Sequence, residues 1–201
     1  MKLEDIAEIT QGNILTRIKS TSGMEFKAFT MQQLSFSINA SDSPGLYNKV
    51  IVNKERTGNL CLAKENDVLV GLASGKAMKV SKKEEGFLVL SNFIRIRIKD
   101  NVQLNPDFLC WIFNENKDIL RYFASMTQGT ARVSIIPLPF IKCLNIDLLP
   151  LNQQMIIGRI YQLKKEKMRI VKQKEEVKSL IIEKKLFEIY KTNNTEENEN
   201  E

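Results

Sequence analysis

Apolar positions along this chain change their spacing several times, and each change predicts an element. Leu3, Ile6 and Ile9 recur every third residue up to Gln11-Gly12, which suits a short helix or the entry to a strand. Residues 13–57 lose that regularity and are polar and turn-rich, as in Ser20-Thr21-Ser22-Gly23 and Ser41-Asp42-Ser43-Pro44-Gly45. They predict short strands joined by long loops. Clearer strands are expected at 59–63, 67–72 and 87–99. In the last, Ile94, Ile96 and Ile98 alternate with Arg95 and Arg97, so a half-buried strand with a basic outer face is predicted. Asn105-Pro106 then opens a helix, because Asn caps well and Pro suits the first turn. Its apolar face carries Phe108, Leu109, Trp111, Ile112 and Phe113. A second short helix is expected at 117–125, and Leu144, Ile146 and Leu148 alternate as a last strand before Pro150.

The pattern after Leu149-Pro150-Leu151-Asn152-Gln153-Gln154 is different in kind. Residues 152–190 contain no Pro and one Gly, Gly158, and are dominated by Lys, Glu, Ile and Leu. A helix of that length spans roughly 55–60 Å, more than the body of a small domain needs. Ile156, Leu163, Ile170 and Val177 recur every seven residues. The companion seam, Ile160, Lys167, Lys174 and Ile181, is broken by two lysines. Sustained heptads with flanking charge predict a coiled-coil helix. The seam lysines suit an irregular, antiparallel or partner-covered contact better than a uniform zipper. A long solvated helix packed back on its own domain is the alternative. The fold expected is therefore α+β: a small mixed-sheet domain over 1–150, one long coiled-coil α-helix over 151–191, and an acidic, disordered tail over 192–201.

Charge follows the same division. The chain has 201 residues and a net charge of +6. Residues 1–150 carry 19 basic and 15 acidic side chains, residues 151–191 carry 11 and 5, and the last ten carry four Glu and no base. A basic body with a basic rod suits a polyanion, although basic domains also occur without one. There is no histidine, which removes the commonest general base and zinc ligand, and every Ser-His or Cys-His pair. No catalytic or metal-binding residue is assigned. Cys61, Cys110 and Cys143 are few, odd in number and set among apolar residues, and read as reduced core residues of a cytoplasmic protein. No apolar run approaches membrane-spanning length, and no secretory segment is evident at the start.

Three stretches invite chemistry. Gly71-Leu72-Ala73-Ser74-Gly75-Lys76-Ala77 is not a P-loop, because three residues separate its glycines and Ala77 stands where a magnesium-binding hydroxyl is needed. Its Ser74, Lys76 and Lys79 remain suited to a nucleic-acid backbone. Asn105-Pro106-Asp107-Phe108 is near the Asn-Pro-Pro-aromatic motif of DNA amino-methyltransferases, but Asp107 replaces the second proline and no Gly-rich cofactor loop precedes it. A capped helix start explains these residues. Gln128-Gly129-Thr130-Ala131-Arg132-Val133-Ser134 is either a surface connection or a base-reading loop, since Arg pairs with guanine and Gln with adenine.

Taken in order, several segments resemble the specificity subunit of type I restriction-modification systems. They are Leu3-Glu4-Asp5-Ile6-Ala7-Glu8-Ile9 with Gly12, Asn66-Asp67-Val68-Leu69-Val70, Ser74-Gly75-Lys76, Gly129-Thr130-Ala131-Arg132, Ile136-Pro137-Leu138-Pro139, and Leu149 to Gln154 with the helix that follows. Asn152 stands where that family usually has Glu, and it also starts a helix well. The resemblance implies a DNA target-recognition domain on a conserved helix, with no catalysis of its own. Family members carry two such domains and two antiparallel helices; this sequence holds one of each.

The resemblance therefore implies a homodimer formed through Ile156, Ile160, Leu163, Ile170, Val177 and Ile181. Double-stranded DNA and methyltransferase (modification) subunits are the expected partners, with a restriction subunit as a further one. S-adenosylmethionine and ATP belong to those partner subunits, and the chain itself needs no cofactor. The expected DNA contacts are Arg17, Lys19, Lys27, Gln32, Ser74, Lys76, Lys79, Thr130 and Arg132. Two competing readings are a protein-binding scaffold and one half of a split subunit that needs a different half.

Overall fold

A computed structural model of the chain describes residues 1–39, 47–127 and 135–198. A one-turn helix α1 (Leu3–Ile6) runs straight into strand β1 (Ala7–Gln11). A second single turn, α2 (Leu15–Ile18), leads into β2 (Lys19–Ala28), helix α3 (Met31–Ile38), β3 (Asn48–Val52) and a 3₁₀ turn (Lys54–Asn59). Strands β4 (Val68–Gly71), β5 (Ala77–Lys79) and β6 (Phe93–Ile98) follow. Helices α4 (Pro106–Glu115), α5 (Lys117–Thr127), α6 (Leu138–Lys142) and α7 (Leu151–Asn198) complete the described chain. Among the described residues no helix is long and apolar enough to cross a membrane.

Four strands form one sheet in the order β1-β6-β4-β5, with every neighbour antiparallel. Among the described residues, parallel pairing is confined to single bridges, Asn13 with Leu90 and Ala28 with Leu88. Because side chains alternate across a strand, Val68, Val70, Ile94 and Ile96 face one side. There they meet Leu3, Ile6, Leu109 and Phe113 of the helical layer. Leu69, Met78 and Phe93 face the other side and pack with Phe29, Leu34 and Phe87. The central strand β4 is thus buried on both faces, as its unbroken apolar run requires.

The β2–β3 hairpin is a second sheet, laid on its own cluster of Ile18, Val50, Val52 and Leu88. It carries a bulge in which both Lys19 and Met24 lie opposite Val52. Gly23 makes the bulge possible. Its φ is +148°, and a Cβ there would lie 2.0 Å from the Val52 carbonyl oxygen.

Several expectations hold and several are corrected. The α+β division, the Asn105-capped helix and the helix from Lys117 are observed. Asn105 Oδ1 accepts from the amides of Asp107 (2.9 Å) and Phe108 (3.0 Å), as an N-cap should. Within 13–57, however, α3 is a helix. Its signal is a capping box: Gln33 N donates to Thr30 Oγ1 at 3.2 Å and Thr30 N donates to Gln33 Oε1 at 2.8 Å. Residues 59–63 are not a strand, since only Leu62 makes a bridge, to Leu88. The 144–148 segment likewise pairs through one bridge, Asn145 to Lys2. Cys61 and Cys110 are buried but Cys143 is exposed. The helix α7 runs on through the segment expected to be a disordered tail, as far as Asn198. Extending a formed helix adds one bond per residue without a new nucleus.

The basic outer face expected of β6 is also corrected, because both arginines are neutralised within the protein. Arg97 grips Asp67 with two bonds, Nε to Oδ1 at 2.9 Å and NH2 to Oδ2 at 2.7 Å. That bidentate bond raises the Arg97 pKa. Arg95 donates to Glu8 Oε1 at 2.8 Å and to the Leu62 carbonyl at 3.0 Å.

The long helix is held to the domain along one face, by Gln154, Gly158, Tyr161 and Lys165, spaced as one helical stripe. The Gln154 amide, 1% exposed, donates to Gln103 O (3.0 Å) and Leu149 O (2.7 Å) and accepts from Asn105 N (2.9 Å). Gly158 passes directly over the α4 cap. A Cβ on it would lie 2.9 Å from Asn105 Oδ1 and 3.1 Å from Phe108 N. One turn on, the Tyr161 hydroxyl accepts from Asn114 Nδ2 at 2.7 Å. Burial pushes the Tyr161 phenol up to about 12 and the neighbouring Cys110 thiol up to about 12. Lys165 Nζ sits 5.6 Å over the Tyr161 ring and 3.5 Å from Ser37 Oγ, and burial lowers its pKa.

Three outcomes follow for stability. Gly158→Leu must push α7 off the α4 cap and costs about 1–3 kcal/mol by denaturant unfolding. Asp67→Ala leaves Arg97 without its buried acceptor and costs about 3 kcal/mol. Lys49→Ala, which breaks the exposed Lys49–Glu25 pair, changes stability by less than about 1 kcal/mol in the same assay.

Candidate functional site

With Arg95 and Arg97 neutralised inside, solvent-facing positive charge gathers on the hairpin unit. Arg17, Lys19, Lys27, Lys49, Lys54 and Arg56 are all exposed on α2, β2, β3 and the 3₁₀ turn, against only Glu25 and Glu55. Local contacts organise them. The Arg56 guanidinium donates to the Arg17 carbonyl, which ties the 3₁₀ turn to α2. Lys27 Nζ stands 5.3 Å over the Tyr47 ring and 5.6 Å over Phe87, so two aromatics hold the ammonium at the surface. Leu15, Met24 and Ile51 are exposed among the charges. A groove of about 230 Å³ runs past Leu15, Lys19, Lys49 and Leu90. A two-stranded ribbon of this kind fits the major groove of B-form DNA.

The sequence-predicted contacts divide into three groups. Arg17, Lys19 and Lys27 come together on the hairpin. Gln32 is exposed on the first turn of α3, which lies beside the turn carrying Ser74: a Cβ on Gly71 would meet Leu34 at 2.5 Å and both Met31 and Ser74 at 3.1 Å. Lys76 and Lys79 turn the other way, onto α4. Lys76 Nζ donates to the Asn114 carbonyl at 2.9 Å, and Lys79 Nζ pairs with Asp107 Oδ2 at 2.7 Å. Asp107 also accepts from Gln162 of α7 at 2.6 Å, so Lys79 belongs to the domain–rod junction. Thr130 and Arg132 lie outside the described residues. The chain that follows them returns to the Ser74 turn, where Ile136 N donates to Leu72 O at 3.0 Å.

The heptad positions of α7 form the second part of the site. Because Gln154, Gly158, Tyr161 and Lys165 face the domain, Ile156, Ile160 and Leu163 point away from it. With Ile170, Val177 and Ile181 they make an apolar seam, interrupted by Lys167 and Lys174, in which even the most covered apolar residue, Leu163, is 49% exposed. Sequence reasoning missed the docking stripe. Its signal was present as a Gln, a glycine and an aromatic at i, i+4 and i+7 spacing, but polar and small residues do not register in a hydrophobic count. Among the described residues no group of His, Cys, Asp or Glu is arranged to hold a metal ion.

Comparison with known proteins bears on this arrangement. Residues 1–179 match the family described as type I restriction modification DNA specificity domain. No curated protein matches. Among solved structures, the fold is similar to a chain from a structure of the complex assembly and conformational transition of the type I R-M system. The two are 17% identical with a TM-score of 0.61, over 94% of this chain and 48% of that one. It is also similar to the HsdS subunit from Thermoanaerobacter tengcongensis, at 14% identity and a TM-score of 0.55, over 86% of this chain and 38% of that one. This chain therefore spans less than half the length of either. The family match takes in the sheet, the hairpin, α4 and the docked part of α7 alike, and on it the chain belongs to the type I restriction-modification DNA specificity domain family.

Proposed function

We propose that this chain is the sequence-reading, non-catalytic specificity component of a type I restriction-modification system, working as a homodimer on double-stranded DNA. The observation that carries this reading is the two-faced rod. One stripe of α7 fixes a basic domain, and the opposite stripe leaves an apolar seam open to solvent.

Pairing two copies through that seam relates their domains by a two-fold axis. Both then read the same half-site, so the target is an interrupted palindrome. The rods set the length of the unread spacer. Arg17, Lys19 and Lys27 of α2 and the hairpin face the DNA, with Gln32 and Ser74 at the border of that surface, and Thr130 and Arg132 are assigned to the DNA on the sequence resemblance alone. Lys76 and Lys79 must leave their partners on α4 before either reaches a phosphate. Methyltransferase subunits carry S-adenosylmethionine and act on the target adenine, extruded from the duplex. A restriction subunit with ATP adds cleavage.

Each good bidentate base contact gives roughly 1–3 kcal/mol of discrimination, so one head alone reads little. Linking two heads gains roughly 10²–10⁴ in avidity. In full-length protein, Leu163→Asp with Ile170→Asp gives a folded monomer by light scattering and circular dichroism. Its affinity for a two-half-site duplex drops at least about a hundredfold. A wild-type chain that is monomeric at high concentration rejects the homodimer and points to a different half as partner. On the reading head, Arg132→Ala relaxes sequence preference. Lys19→Ala weakens all sequences alike and lowers the salt slope by about one. Equal losses on every duplex in both variants reject Arg132 as a base reader.

A further inference from the structure

The apolar surface of α7 changes character along the rod. Through Val177 it is a seam, roughly two positions in seven. Beyond that, Leu180, Ile181, Ile182, Leu186, Phe187, Ile189 and Tyr190 are all at least half exposed. Seven large apolar side chains in eleven residues surround the helix. One facing helix covers only a narrow stripe, so the tip requires a second surface beyond its partner's rod.

The seam itself fixes where the tip goes. In a parallel pair Lys167 and Lys174 would each face their own copies across the seam, setting like charges together. In an antiparallel pair each seam position faces one of the other kind. One register places Ile156 opposite the partner's Ile181, Ile160 opposite the partner's Val177, Leu163 opposite the partner's Lys174 and Lys167 opposite the partner's Ile170. Every lysine then faces an apolar side chain along which its stem can lie while its ammonium reaches water. Sliding by one heptad sets Ile160 against Lys184 and Ile156 against Glu188 in one direction, or Val177 against Gln153 in the other. The register that avoids these mismatches brings residues 182–190 alongside residues 147–155 of the other copy.

An open cleft of about 280 Å³ lies there. Phe108, Trp111, Ile119 and Leu149 line it, and Asp118 and Asp147 contribute carboxylates. The Phe108 and Trp111 rings stack at 5.8 Å. The cleft opens on the correct flank of the rod. Phe108, Trp111 and Glu115 form one stripe of α4, and Glu115 is bridged at 2.7 Å to Lys164, one turn from the seam residue Ile160. Lys185 beside the tip aromatics and Asp147 beside the cleft are complementary, while Lys184 and Asp118 each have a partner on their own helix, Glu188 at 3.9 Å and Arg121 at 3.1 Å.

We propose that the tip of α7, residues 186–190, seats in this cleft of a second copy, so that each reading domain is clamped by its partner's rod. This rests on the self-association proposed above and extends it from the rods to the domains. The clamp ties each domain to its partner's rod in addition to its own. It also sets the separation of the two heads without relying on the stiffness of a single helix.

The chain contains one tryptophan, Trp111, and it lines the cleft. Its emission in the full-length protein therefore reports seating directly. On dilution through dissociation the emission shifts to the red. Phe187→Ser with Tyr190→Ser, at positions exposed in the single chain, gives the same red shift in a dimer that is still formed but dissociates at about tenfold higher concentration. In a Cys143→Ser background, Ile156→Cys with Ile181→Cys yields a covalent dimer on mild oxidation. Within one helix these two positions are about 37 Å apart, beyond any disulfide. Identical Trp111 emission in monomer, dimer and tip variant overturns the clamp. A dimer that does not cross-link overturns the register while leaving self-association intact. A chain that never dimerises overturns both.

Discussion

The crossing of α7 over the N-terminus of α4 is the contact on which the rest of the architecture depends. Three side chains and one missing side chain make it. Gln154 satisfies two carbonyls and an amide in a space closed to water, and Asn114 joins the β5 backbone to Tyr161. Gly158 lets two backbones approach until a Cβ would touch the cap of α4. A buried amide without these partners would cost about 1–3 kcal/mol, so the stripe admits one rotation of the rod. Once that rotation is set, the direction of the apolar seam is set too.

Electrostatics complete the division of labour between faces. Buried or half-buried arginines on β6 are answered by Asp67 and Glu8, which removes them from the outer surface. Lys79 is answered by Asp107 at the junction. Net positive charge therefore resides on the hairpin and along the rod, where long-range attraction to a polyanion is least cancelled. The hairpin offers it on an extended ribbon with apolar side chains between the charges, a surface suited to groove contact rather than to a phosphate backbone alone.

The domain and its rod are also less separable than their sequences suggest. Tyr161 belongs to the main core cluster and Ile157 packs against it, so the first turns of α7 are part of the domain. A boundary at residue 150 follows composition, whereas the physical boundary lies past Lys165. The Leu149 to Gln154 motif marks the place where the core recruits the helix.

What the sequence determined by itself were features that depend on neighbours along the chain. Period-two alternation located β6, an uninterrupted apolar run located β4, Asn105 and Pro106 located the start of α4, and the heptads located α7. The charge of Arg95 and Arg97 was legible; its fate was not, because Asp67 and Glu8 lie far away in sequence. The same holds for Lys76 and Lys79, whose partners come from α4. The helix α3 escaped notice because its eight residues are weakly periodic and its capping box is a pairwise signal. Only tertiary structure decided which stripe of the rod faces the domain. The choice was made by a glycine, a glutamine and a tyrosine matched to groups roughly fifty residues earlier, and no count of hydrophobic positions weighs such a match.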